Sequence, residues 1–198
     1  MPFLKNLPGS LKHIKETKFQ LSDCTSLQLY VMDESRFGLL SIQRRCLTAR
    51  GVKPIVPYQH RFKNFYLFGA YSPTSGDHFT LEMPYCNTDC FEAYLTELSL
   101  HKPKEFKILI LDNGAFHKAE RLQIPTNIAL LFLPPYSPEL NPAEMIWRWI
   151  KDQLANKVFE NLELLQTATA KILSGLSTKI VQSITGWGLY KNIECLDV

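Results

Sequence analysis

The sequence predicts an α/β fold built as one domain: a mixed sheet with helices packed on both faces. Three observations carry this prediction. Residues 27–83 read as an antiparallel meander of short runs rich in β-branched and aromatic residues. Two continuous apolar runs, 107–111 and 127–133, have the character of strands buried on both faces. Helical periodicity appears between and after them, and a meander followed by alternating helices and strands makes a sheet that must be covered on two sides.

Size and composition agree with one folded domain. The chain has 198 residues, 45% apolar and 21% charged, enough to close a hydrophobic core and too apolar for a disordered segment. A net charge of +3 admits nucleic acid as a partner without identifying it. The five cysteines (24, 46, 86, 90 and 195) are odd in number, and the first 20 residues hold no leader-like apolar run. Reduced thiols in a cytosol follow. Cys86 and Cys90 have His78 and His101 nearby, but the spacing matches no usual zinc pattern. No apolar stretch reaches the ~18 residues of a membrane span.

Taken in order, residues 1–26 are Lys-rich and weakly patterned, with Pro8-Gly9 as a break, and read as a linker or residual N-terminal segment before a domain at 27–198. Leu27 to Asp33 reads as a strand ending in a carboxylate, and Phe37 to Leu47 as a second strand after a turn at Gly38. A basic loop from Arg44-Arg45 to Lys53 leads to Pro54 and Pro57. Asn64 to Tyr71 is a strand, Ser72 to Gly76 a turn, and His78 to Met83 its partner. Thr88 or Asp89 can cap a helix that buries Phe91, Tyr94, Leu95 and Leu98. Helical patterns fill 142–157, 161–176 and 177–184.

Three acids draw the chemical argument together. Asp33 and Asp112 each follow an apolar strand, and ligands in such sheets gather beyond the carboxyl ends of the strands. If the two strands are neighbours, a cation or a retained proton must relieve the repulsion of their carboxylates, and magnesium, a hard ion, prefers such oxygens. The plainer reading of each aspartate is that it starts a turn. Glu144 has its own plain reading: Asn141-Pro-Ala-Glu144 is a helix start, with Asn as N-cap, Pro at the first helical position and Glu positioned as in a capping box. Ile146, Trp147, Ile150 and Leu154 form the apolar ridge of that helix, and Glu144 falls at its rim with Arg148 and Lys151. A metal and phosphate site or an i,i+4 Glu–Arg pair fits that rim equally well.

Four sets of residues, in order, carry a resemblance: Met32-Asp33-Glu34-Ser35-Arg36-Phe37-Gly38; Phe68-Gly69-Ala70 with Ser72-Pro73 and Gly76; Leu111-Asp112-Asn113 with His117; and Leu133-Pro-Pro-Tyr-Ser-Pro-Glu-Leu-Asn-Pro142 with Glu144 and Trp147. Together they resemble the catalytic domain of DDE transposases, the mariner-like superfamily that includes bacterial insertion-sequence enzymes, over roughly residues 27–187. The last block is the specific one. The resemblance implies a ribonuclease-H-like fold with a five-stranded mixed sheet, and Asp33, Asp112 and Glu144 as a catalytic triad holding two Mg2+ ions, with Mn2+ as a substitute. It implies DNA strand cleavage and strand transfer by in-line attack at phosphorus, on transposon ends and target DNA. A homodimer in synapsis is implied, in a bacterial cytoplasm at the nucleoid.

Around the triad, Glu34, Asn113 and His117 are placed to orient ligands or water. Arg36, Arg44, Arg45, Lys118, Arg148 and Lys151 are candidate phosphate contacts. Tyr136 reads as packing against the following helix in preference to stacking on DNA, and Trp147, Trp149 and Trp187 as core or interface anchors. The 31 residues between Asp112 and Glu144 lie near the lower end of the short spacings that family uses. One feature departs from its pattern: Cys46 stands where many relatives have tryptophan. Transposases of this type also carry helix-turn-helix domains ahead of the catalytic one, and 26 residues are too few for such a unit. Two alternatives remain: a catalytically idle fragment that keeps DNA or subunit contacts, and a ribonuclease-H-type nuclease acting on other substrates. The proline-rich block favours transposase over the latter.

Overall fold

Strand β1 (Ser26–Gly38) is the axis of the sheet. A computed structural model describes residues 2–20, 22–187 and 190, with the side chains of 2–5 left aside. On one side β1 pairs antiparallel with β2 (Asn64–Tyr71), which pairs antiparallel with β3 (His78–Met83). On the other side it pairs in parallel with β4 (Glu105–Leu111), and β4 with β5 (Ile128–Phe132). The order β3-β2-β1-β4-β5 is the mixed five-stranded sheet expected from the sequence.

Alternation along β1 separates two cores. Leu29, Val31 and Phe37 point to one face with Ile108 and Ile110, whereas Tyr30 and Met32 point to the other with Leu109 and Leu111. Helix α1 (Pro2–Ile14), α3 (Ala143–Leu154), α4 (Leu162–Ser174) and α5 (Thr178–Thr185) cover the first face. Helix α2 (Thr88–Leu100) covers the second with Phe91, Tyr94, Leu95 and Leu98, the four residues its periodicity selects. Its N-cap is Asn87, whose side chain accepts from the Cys90 amide at 2.9 Å, one residue ahead of the expected caps.

Three expectations are corrected. Residues 2–14 form a helix and not a weakly patterned linker: Leu7, Leu11 and Ile14, at i, i+4 and i+7, are buried in the main core with Phe19 from the π-helical turn that follows. No strand forms over 37–47 beyond the end of β1. The register Gly38↔Asn64 shows why: residues 64–71 already occupy the edge of β1 that such a hairpin would need. Residues 39–63 therefore run outside the sheet as an irregular, largely exposed segment. Finally, β1 does not stop at Asp33 but continues to Gly38, held by β2 alone past Val31. Among the described residues no helix is long and apolar enough to cross a membrane.

Candidate functional site: an acid-lined cavity at the end of the parallel strands

The end of β4 sets the geometry. The last β1–β4 pair is Val31↔Ile110, and two residues further along each chain stand Asp33 and Asp112. Asp33 is still in register with Gly69 of β2. A Cβ on Gly69 would stand 2.8 Å from Trp147 Cη2, so only glycine lets the indole of α3 close over the sheet there. Trp147 Nε1 then donates to Asp33 Oδ2 at 2.9 Å. The tryptophan read as a core anchor is buried, and it also grips a candidate acid.

Helix α3 is pinned at its start. Asn141, 2% exposed, accepts from the Ala143 amide at 3.1 Å through its side-chain oxygen and donates through Nδ2 to the Met32 carbonyl at 2.9 Å. That second bond ties the helix start to the residue before Asp33. Pro142 is the N-cap, so Glu144 sits one position earlier in the helix than a capping box requires, and no side-chain cap bond forms from Pro142. Arg148 approaches Asp152 at 3.9 Å and not Glu144, so the i,i+4 Glu–Arg pair is absent. The acid reaches the rim with neither competing task.

The structure thereby brings Asp33, Asp112 and Glu144, from three elements, to the wall of one cavity of about 440 Å3. Asn113, Gly114 and the 133–138 elbow complete much of the rest. Burial raises the Asp33 carboxyl to about 8, with the charges of Glu34 and Glu144 adding to it against opposing bonds from the Glu34 amide and Trp147. Glu144 is raised by burial and by Asp112. Among the described residues no three His, Cys, Asp or Glu side chains are drawn tightly enough to cage an ion.

His117 explains the remaining balance. It is 2% exposed, with Nε2 2.8 Å from Glu34 Oε1 and Nδ1 3.0 Å from Asp112 Oδ1, the latter a charge contact off the line of a hydrogen bond. Burial works to lower its pKa, but the two carboxylates prevail and hold the imidazole up at about 9. In return the imidazolium, with the Gly114 amide at 2.9 Å, holds Asp112 below the ordinary carboxylate range. The rings of Phe91 and Phe116, with centroids 4.5 and 4.1 Å away, wall it in. A Cβ on Gly114 would meet His117 Nδ1 at 3.0 Å, so the glycine after Asp112-Asn113 makes room for this clamp.

These shifts have a definite consequence for stability. His117 rises from 6.5 to about 9, so its contribution is fully present below pH 6.5 and lost as pH climbs through 9. Asp33 rises from 3.8 to about 8, so its contribution is present below 3.8 and lost through 8. Both act in one direction over the shared window. Thermal melts without divalent ions are expected to fall steadily from pH 6.5 to 9, and Asp33→Asn to flatten that fall. A melting temperature that rises over this range would contradict the assignment.

The other expected site residues divide. Asn113 donates to the Leu133 carbonyl and accepts from Lys118, whose ammonium also lies over the Phe132 ring at 4.7 Å. Arg36, Arg44 and Lys151 gather in a separate cavity, Arg148 leans on Asp152, and Arg45 is exposed and lines neither cavity. Tyr136 corrects the packing expectation: it is wholly exposed, at φ +56°, on the rim of the acid cavity. Pro134, Pro135 and Pro138 stiffen the elbow around it, and an L residue in the left-handed region costs about 1–2 kcal/mol. Sequence reasoning missed the Trp147–Asp33 and Asn141–Met32 bonds, since no local pattern announces a contact across more than 100 residues. It also missed the role of Gly114, because the His117 that the glycine makes room for is held in place by Glu34 of β1. Cys86, weighed in the sequence only as a zinc ligand, feels the acids instead: its thiol is pushed up to about 11 by burial, then by Glu34, Asp112 and Asp33.

Residues 28–166 match a family model described as DDE superfamily endonuclease. An uncharacterized protein of Sinorhizobium fredii (strain NBRC 101917 / NGR234), y4pE/y4sA, is 38% identical over 104 residues, which cover 52% of this chain and 77% of that protein. Among solved structures, the Mos1 transposase paired-end complex with left transposon end superposes with a TM-score of 0.63 at 17% identity, covering 98% of this chain and 60% of that one. The Mos1 mariner paired-end complex with Mn gives 0.62 at 17%, covering 98% and 59%. At such identity the likeness establishes the ribonuclease-H-like fold, and this chain spans about 60% of the length of the solved chains it matches.

Proposed function

The chain belongs to the DDE superfamily endonuclease family, and on that premise we propose that it is a transposase catalytic domain that cleaves DNA strands and transfers their 3′ ends by in-line attack at phosphorus. The observation that supports the reading is that three carboxylates from separate elements line one cavity. Their chemistry suits a hard divalent cation: all donors are oxygens, and burial, with the charges of Glu34 and Glu144 beside it, raises the Asp33 carboxyl to about 8, a cost that a cation would relieve. Asp33, Asp112 and Glu144 would hold two Mg2+ ions, with Mn2+ as a substitute, which when bound would supply activation of the attacking oxygen and charge neutralisation at phosphorus.

The chain's own residues prepare that cavity. Trp147 fixes the Asp33 carboxylate, and Asn141 fixes the start of the helix that carries Glu144. His117 lies between Glu34 and Asp112, and its charge keeps Asp112 ionised. At neutral pH the proton on Asp33 must leave before a cation enters, so divalent affinity climbs as pH approaches 8. Partners on this reading are transposon-end and target DNA and a second copy of the chain in synapsis, within a bacterial cytoplasm. The Mos1 structures include a paired-end complex with the left transposon end and paired-end complexes with Mn and with Mg, which accords with this choice. The catalytically idle alternative draws on the acids not being pre-gathered into a cage.

Nicking of supercoiled DNA bearing the element's ends tests the proposal. The wild type is expected to nick only with Mg2+ or Mn2+, and Asp112→Asn to lower the rate by at least about a hundredfold. Equal nicking by both proteins would overturn it. Ion binding by the wild type without nicking would leave the idle reading in its place.

A further inference from the structure

A second cavity, of about 480 Å3, lies where the 39–63 segment meets the end of β1 and the middle of α3. Its lining includes Arg36, Arg44, Arg61, Lys63 and Lys151, and no aspartate or glutamate. Only Arg44 is committed to an ion pair, with Asp152 at 2.7 Å; among the described residues the other four have no carboxylate within salt-bridge range. Arg61 spends one N–H on the Glu160 carbonyl, at 2.7 Å, and Lys151 one on Ser35 Oγ, at 2.6 Å, leaving most of their donors free. Burial lowers the Lys151 pKa, and Arg36 and Arg44 press it further down against the pull of Asp33. Converging cations at such a place cost free energy unless an anion joins them. Guanidinium forks suit phosphate oxygens, and five separate cations along one groove suit a polyanion better than a single ion.

Position gives the groove its meaning. Lys151 lies one helical turn, about 6 Å along α3, past the Trp147 that grips Asp33. We propose that this groove holds the sugar–phosphate backbone of the DNA strand leading away from the acid cavity, without regard to base sequence, and that Arg61 and Lys63 belong to it. The identity of the ligand rests on the transposase reading above; the charge geometry does not. Arg61 and Lys63 are the informative pair, because both are exposed and neither touches the acids.

The test is equilibrium binding of a ~30-bp mixed-sequence duplex in EDTA across a salt series. Arg61→Gln/Lys63→Gln is expected to weaken binding roughly tenfold near 0.1 M salt and to reduce the slope of log K against log salt by about 2, at about 0.9 per phosphate contact. The charge-keeping pair Arg61→Lys/Lys63→Arg should restore the slope. A charge-matched control on the exposed surface of α4 and α5, Lys171→Gln/Lys179→Gln, should leave it nearly unchanged. An unchanged slope in the first variant, an equal drop in the control, or failure of the charge-keeping pair to restore it would each overturn the groove. Because binding is read without divalent ions, the two readings fail separately. A wild type that binds as expected but never nicks counts against the transposase proposal, and one that nicks with an unaltered salt slope counts against the groove.

Discussion

Glu144→Gln is expected to lower divalent-ion-dependent nicking by about a thousandfold while changing folding stability by less than about 0.5 kcal/mol. The two halves of that expectation separate the meanings the sequence left balanced. Were Glu144 a capping residue, its loss would cost about 1 kcal/mol and the helix start would fray. The side-chain bonds at the helix start come instead from Asn141, one residue ahead of the Pro142 N-cap, which accepts from the Ala143 amide and anchors to the Met32 carbonyl. Glu144 forms no ion pair with Arg148, and burial together with the Asp112 charge raises its pKa. A carboxylate in that position gains little from the fold and is free for a ligand. A clear loss of melting temperature with activity retained would reverse the argument.

Trp147→Ala is expected to cost about 4 kcal/mol, enough to unfold much of a marginally stable domain. The indole is 4% exposed, sits edge-on to Phe37 and Tyr71 at 6.2 and 5.6 Å, and fills the space that Gly69 leaves open. Trp147→Phe separates packing from polarity. It keeps most of the burial but removes the N–H that Asp33 accepts, at a cost of about 1.5–3 kcal/mol. That bond lowers the Asp33 pKa, so its loss raises a carboxyl already near 8. The pH–rate profile of nicking by Trp147→Phe should therefore move to the alkaline side of the wild type. Chemical denaturation and rates between pH 6 and 9.5 read the two effects, and an unmoved profile would mean that the indole only packs.

Local pattern was sufficient wherever a residue's surroundings come from its own segment. The ridge Ile146, Trp147, Ile150 and Leu154 is buried as its spacing requires, and the run from Ile108 to Leu111 is a central strand. It failed where another segment decides. The 37–47 run has strand composition, yet its first residues, Phe37 and Gly38, are the end of β1 itself, and β2 already pairs with them there. Pro8-Gly9 masked the Leu7, Leu11, Ile14 stripe, since a proline at the second turn of a helix reads as a breaker until the core it serves is known. Tyr136 looked like packing because tyrosines usually bury; its positive φ between prolines turns the ring out to solvent instead.

The sequence by itself determined the layer architecture, the three acids and their family, because periodicity and a specific linear block are properties of the chain alone. Only the tertiary structure decided what those acids are to one another. Asp33 and Asp112 come together through a parallel register between β1 and β4 that is set by packing across some 80 residues of chain. Their protonation is set by contacts with Trp147, His117 and Glu34, which lie on other segments or other faces, and charge interacts through space and not along the chain. The basic groove has the same origin: its five cations are scattered from residue 36 to 151 and become one field only when α3 packs beside the end of β1.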